Sequence, residues 1–275
     1  MHVDVQLRWS DMDAQRHVNN ARIADYLQEA RVQLLRDADL LELGVVVVRQ
    51  QVQYRGSIDY ADDPLDVELG VTALRAGTVE IGYLLRQEGV VVAEARTLLS
   101  AFDFAEQRPR RFTDRTRAAL ERHRVAMDPF PELTAPALEG RGIRTLHHPR
   151  WTDLDRYGHV NNMLAFEYLQ QARIEVSPQW DPFMARTGSG DSPYLWLVVR
   201  QGVDHVAQIH HPFEPLQMWT APVRIGRTSL TSAAEICDPD GTLLVRGRTV
   251  VVCADQTFRP TPLPNADRLR DHLVR

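Results

Sequence analysis

One polar stretch occurs twice in this chain. Arg8-Trp9-Ser-Asp11-Met-Asp13-Ala-Gln15-Arg16-His17-Val-Asn19-Asn20 returns as Arg150-Trp151-Thr-Asp153-Leu-Asp155-Arg-Tyr157-Gly158-His159-Val-Asn161-Asn162. The copies align without a gap at an offset of 142 residues (159 − 17 = 142). A repeat of this quality means a tandem duplication, so each half has to fold as the same unit. Packing does not require two carboxylates, a histidine and an Asn pair at one place. Chemistry is the better reason for keeping them together.

The correspondence runs past the motif. Tyr26 to Arg31 matches Tyr168 to Arg173 at the same offset, with Glu29 facing Gln171. Further on, Val48-Arg49-Gln50 matches Val199-Arg200-Gln201, and the offset has grown to 151 (199 − 48 = 151). The extra residues fall in the 177–193 segment, rich in Ser, Gly, Pro and Asp, which reads as a loop. The expected division is an N-terminal domain over 1–127, a Pro-rich linker over 128–142 and a C-terminal domain over 143–275.

Alternation of apolar and polar residues predicts strands at Val3–Leu7, Val67–Ala73, Val79–Leu85 and Val90–Phe104. Ile23, Tyr26, Leu27, Ala30 and Leu34 recur at helical spacing, and Asn19 or Asn20 is placed to cap that helix. The second half repeats the order: strand, loop, helix from about residue 162, then four strands. Short charged helices are expected over 113–126 and after Asn265. The fold class is α+β, with one long apolar-striped helix per half lying across an antiparallel sheet.

A formal net charge of −5 argues against a nucleic-acid partner. No apolar run approaches the ~20 residues a membrane span needs, and the first residues carry no signal-type apolar stretch, so a cytoplasmic location is expected. The chain has no lysine, which excludes lysine-based covalent chemistry. Cys237 and Cys253 read as buried free thiols. His147-His148 and His210-His211 lack further ligands at zinc spacing, so no metal and no cofactor are expected.

The pattern Asp11-x-Asp13-x-x-x-His17-Val-Asn-Asn20, followed by Tyr26 and Glu29-Ala-Arg31, resembles the hotdog-fold thioesterases of the 4-hydroxybenzoyl-CoA thioesterase type. It is also similar to the catalytic segment of the acyl-ACP thioesterases, which are tandem double hotdogs. The resemblance covers nearly the whole chain. It implies two tandem hotdog domains, each a sheet wrapped around one helix, paired as an intramolecular pseudo-dimer. It implies an acyl-thioester hydrolase acting on acyl-CoA or an acyl carrier protein thioester, with a homodimer of such chains allowed. Asp13 and Asp155 would be the nucleophile or the general base, with His17, His159 and Glu29 completing the catalytic groups. The helix N-terminus past Asn20 and Asn162 would hold an oxyanion, and Tyr26 and Tyr168 would line the substrate site. The family's Asn two residues after the aspartate is replaced here by Gln15 and Tyr157.

Plainer roles stand beside these. Asp11 and Asp153 are expected to brace the loop through backbone amides. The Asn pairs suit capping, and both His17 and His159 could hold a carbonyl. Trp9, Trp151, Tyr26 and Tyr168 are expected in the core. Arg55, Arg110 and Arg111 are candidates for the phosphates of coenzyme A. A non-catalytic acyl-ligand binder and a hotdog dehydratase or hydratase are the competing functions.

Overall fold

The computed structural model describes residues 1–13, 16–155, 158–184, 192–211 and 214–275. Two compact units divide the chain, Met1–Glu132 and Leu133–Arg275. Unit 1 contains β1 (His2–Val5), α1 (Ile23–Asp37), α2 (Leu40–Leu43), β2 (Val45–Tyr54), β3 (Leu65–Leu74), β4 (Thr78–Gln87), β5 (Val90–Asp103), β6 (Arg108–Pro109) and α3 (Asp114–Glu121). Unit 2 contains β7 (Ile143–His147), α4 (Leu164–Trp180), β8 (Leu195–His205), β9 (Leu216–Ile225), β10 (Ser229–Cys237), β11 (Leu243–Ala254) and α5 (Ala266–Asp271).

The main strand orders are the same. Unit 1 runs β1-β3-β4-β5-β2, with β6 on β5, and unit 2 runs β7-β9-β10-β11-β8. Neighbouring strands in these two orders are antiparallel. Each unit is therefore the hotdog that the resemblance implies: a long helix and an antiparallel sheet. The side-chain period of 2 puts Leu65, Val67, Leu69 and Val71 of β3, and Val79, Ile81, Tyr83 and Leu85 of β4, on the buried face. The helix stripe of Tyr26, Leu27, Ala30 and Leu34 is equally buried. In unit 2, Gly247 of β11 lets the helix come close: a Cβ there would stand 2.6 Å from Cδ1 of Leu169. Val176, Trp180, Leu230, Val251 and Cys253 join Leu269 of α5 in one cluster, so the last helix closes this core. Cys237 and Cys253 are buried free thiols. Burial, reinforced by Asp181, pushes the Cys253 thiol up to about 11.

Several expectations are corrected. The predicted loop over 177–193 starts too early, because α4 runs through Pro178 to Trp180. Pro178 sits in the last turn, and Trp180 is fully buried. That anchor outweighs the missing amide hydrogen bond of one proline at a helix end. Residues 185–191 of that segment lie outside the described residues. The first strand stops at Val5, although Leu7 is buried. Trp9 and Trp151 are not core residues: they are 76% and 79% exposed. Both open a short 3-10 turn that carries the chain away from the sheet.

Both flanks of the Pro-rich segment are fastened to their own unit. In unit 1, Arg96 donates to the carbonyl of Asp128 at 2.7 Å and lies 5.3 Å from the Phe130 ring centroid. In unit 2, the buried carboxylate of Glu235 accepts from the amides of Leu138 at 3.0 Å and Glu139 at 3.1 Å, and from Arg246 Nε at 3.3 Å. Replacing Glu235 by Ala strands two amides, one of them on the fully buried Leu138. The expected cost is about 1–3 kcal/mol, read by denaturant titration. An unchanged midpoint would show that the strap contributes nothing.

Candidate functional site

The repeated motif forms the same loop in both units. In unit 1, the amide of Asp13 donates to the carbonyl of His17 at 2.8 Å, and the amide of Arg16 donates to the carbonyl of Asp13 at 3.0 Å. In unit 2, Asp155 donates to His159 at 2.7 Å, and Gly158 donates to Asp155 at 3.1 Å. The turn needs a left-handed residue just before the histidine. Arg16 has φ +68° and Gly158 has φ +79°. Glycine takes that conformation freely, whereas a residue with a Cβ meets its own carbonyl there.

The second aspartate of the motif folds back over this turn. Asp13 Oδ1 accepts from the backbone amide of His17 at 3.4 Å, and Asp155 Oδ1 accepts from that of His159 at 3.1 Å. Each carboxylate is thus held against the backbone amide of the histidine four residues on. The loop is then pinned to the connection after β2 or β8: Val18 donates to the Ile58 carbonyl, and Val160 to the Ile209 carbonyl, both at 2.8 Å.

The first aspartate does other work. Asp11 is buried and accepts from the Tyr26 hydroxyl at 2.9 Å. Asp153 accepts from the Tyr168 hydroxyl at 2.6 Å and from the Arg150 amide at 2.8 Å. Bracing through a backbone amide is therefore seen at Asp153, while Asp11 is tied by its side chain to the helix. Tyr26 and Tyr168 are core residues whose hydroxyls are committed to these aspartates. Burial, and then the aspartate bond, raises both phenols well above their ordinary range.

Of the Asn pair, the first residue is the cap. Asn19 Oδ1 accepts from Ala21 N at 2.9 Å, and Asn161 Oδ1 from Met163 N at 3.3 Å. The carbonyls of Asn19 and Asn161 take the amides of Arg22 and Leu164. Several amides expected to face an oxyanion are therefore already engaged at the helix start. Asn20 uses its carbonyl to accept from Tyr54 Oη at 2.8 Å. Asn162 holds a shielded Oδ1 for which no hydrogen-bond partner is seen among the described residues. Glu29 stands on the solvent side of α1, as does Gln171 on α4, where Gln171 donates to Glu175. Gln15 and Tyr157 lie outside the described residues. Arg55 is paired with Glu94 at 2.9 Å. No group of three His, Cys, Asp or Glu suited to a metal ion occurs among the described residues.

Sequence reasoning missed the residues facing the two histidines. His17 bridges to Asp59 through the backbone, with Nε2 3.6 Å from Asp59 Oδ1. His159 bridges to His210, with ring centroids 4.7 Å apart and planes at 81°. The 151-residue offset was the available signal, since 210 − 59 = 151.

The thioesterase-like superfamily model matches residues 7–120 and again 149–271. The chain belongs to that superfamily, with one copy in each half. Over 129 residues it is 28% identical to the long-chain acyl-CoA thioesterase FadM of Escherichia coli (strain K12), covering 44% of this chain and 97% of that protein. The 12:0-ACP thioesterase from Umbellularia californica superposes with a TM-score of 0.69 at 18% identity, covering 92% of this chain and 97% of that one. An acyl-ACP thioesterase from Bacteroides thetaiotaomicron VPI-5482 gives a TM-score of 0.64 at 10% identity, covering 91% and 96%. These two likenesses concern the fold. No helix among the described residues is long and apolar enough to cross a membrane.

Two histidines of unit 2 resist protonation. Burial, then the neighbouring His210, holds His159 below the ordinary 6.5, against the opposing pull of Asp155. Burial also lowers His147, whose ring lies 4.0 Å from that of Tyr168. The unfolded chain then binds more protons than the folded one just below pH 6.5, so stability falls as the pH drops through that value. Melting temperature followed from pH 8 to 5 is expected to decline there, and less steeply in His147→Asn/His159→Gln. Parallel curves for both chains would contradict this assignment.

Proposed function

We propose that the chain hydrolyses acyl thioesters, of coenzyme A or of an acyl carrier protein, to a free acid and a thiol. The observation that carries this reading is the twice-built loop that holds a carboxylate beside a histidine at the start of the long helix. The relatives named above supply the substrate class: FadM is a long-chain acyl-CoA thioesterase, and the two structures are acyl-ACP thioesterases.

The reaction adds water across the C–S bond. Asp13 or Asp155 takes a proton from water as its oxygen attacks the thioester carbon. The carbonyl oxygen becomes an oxyanion, which polar groups at the helix start would stabilise. The amides of Ala21, Arg22, Met163 and Leu164 serve the caps, so the donor has to come from beside them. An Asn162 side chain turned to present its Nδ2 is one such group. Collapse of the tetrahedral species breaks the C–S bond. The departing sulfur receives a proton from the neighbouring imidazole, which then recovers the proton held by the aspartate. Base catalysis of this kind typically contributes about 100- to 10,000-fold. The carboxylate is assigned as base rather than nucleophile because the loop amide already orients it.

The test is thiol release from short, long and aromatic acyl-CoAs and from acyl carrier protein thioesters, with the acid product quantified in parallel. Equal amounts of thiol and acid on any substrate support the hydrolase. A change in double-bond absorbance without thiol would mean a hydratase. Saturable binding without either product would mean an acyl-ligand binder.

A further inference from the structure

The two copies of the loop share one backbone scaffold but differ in what that scaffold presents to the histidine. Position 59 and position 210 are joined to the motif by the same backbone bridge, one to His17 and the other to His159. In unit 1 the facing side chain is a carboxylate, 3.6 Å from Nε2. In unit 2 it is a second imidazole, ring edge to ring face. The backbone at position 59 is clamped from both sides by one side chain. The Asp59 amide donates to Gln87 Oε1 at 3.0 Å, and Gln87 Nε2 donates back to the Asp59 carbonyl at 2.6 Å. By the same offset the partner of Gln87 is Asp238 (238 − 87 = 151). Asp238 spends its carboxylate within its own turn, on the amides of Asp240 at 3.2 Å and Thr242 at 2.8 Å.

We infer that Asp59, on backbone that Gln87 clamps, is a positioning residue for His17 in its role as proton donor in the first repeat, and that His210 denies His159 the same role in the second. The inference rests on the hydrolase reading for its consequence, which is that the first repeat turns over faster. It does not rest on that reading for the pairing itself. An anion beside Nε2 favours the imidazolium and a proton on that nitrogen. A neighbouring imidazole offers no such charge and repels a second proton. The titratable side chains set against His17 are Asp13 on its own loop, with Arg16 next in the chain, and Asp59 on the facing segment. Against His159 they are Asp155 and His210. The carboxylate four residues before the histidine is common to both units, so the facing residue makes the difference.

The experiment uses the full chain with one repeat silenced at a time. With Asp155→Asn in place, Asp59→Asn is expected to lower kcat about tenfold with little change in KM, and Asp59→Glu to restore part of it. With Asp13→Asn in place, His210→Asp is expected to raise turnover by the second repeat. Nitrogen-15 spectra of the imidazoles supply a readout separate from activity. His210→Asp should move the titration of His159 upward, and Asp59→Asn should change the ring nitrogens of His17. Thiol release in neither background would sink the hydrolase reading, and the spectra would then decide the pairing alone. Unchanged spectra in both variants, or equal turnover with and without Asp59, would overturn the proposal.

Discussion

A backbone amide reaching a carboxylate four residues earlier is the contact on which both candidate sites depend. Asp13 accepts from the amide of His17, and Asp155 from that of His159. That bond closes a turn whose penultimate residue is left-handed. It also ties the aspartate side chain to the backbone of the histidine in one short ring. A chain without it would have to order two polar side chains independently, each at an entropic cost. The same turn hands the chain to the long helix through an Asn cap. Loop, cap and helix stripe thus form one device, built twice.

The other polar residues shared by the two copies sort themselves by what they touch. The first aspartate and the helix tyrosine satisfy each other, so that neither is left unpaired in the core. The first Asn of each pair caps the helix. What remains beside the second aspartate is the histidine, and beyond it the residue that faces the histidine from the neighbouring segment. There the halves part company, with Asp59 in one and His210 in the other. Duplication supplies two copies of a scaffold, and at one bridged position they present different side chains to the histidine.

Much of this was legible in the residues. The 142-residue repeat implied two equal units, and strand alternation in β3 and β4 located the sheet faces. The motif located the loop, while the left-handed residue before each histidine, Arg16 and Gly158, came only with the structure. The misses have physical causes. Trp9 and Trp151 read as core because large aromatic rings usually bury, but a 3-10 turn carries them outward. The helix N-terminus looked open as a sequence, but a 3-10 turn precedes it in unit 1, where the side chain of Asn19 takes the Ala21 amide and its carbonyl the Arg22 amide. Asp59 lies 42 residues from His17 (59 − 17 = 42), and only strand pairing brings them together.

The central claim is that the second aspartate of the motif supplies the base, with its loop bond as scaffold. Asparagine keeps the acceptor for the histidine amide and loses the charge. The most direct measurement is therefore thiol release by the double variant Asp13→Asn/Asp155→Asn, alongside its melting temperature. The account predicts melting within a degree or two of the parent and turnover reduced by at least about 100-fold. A folded double variant that still hydrolyses at the parent rate would contradict it.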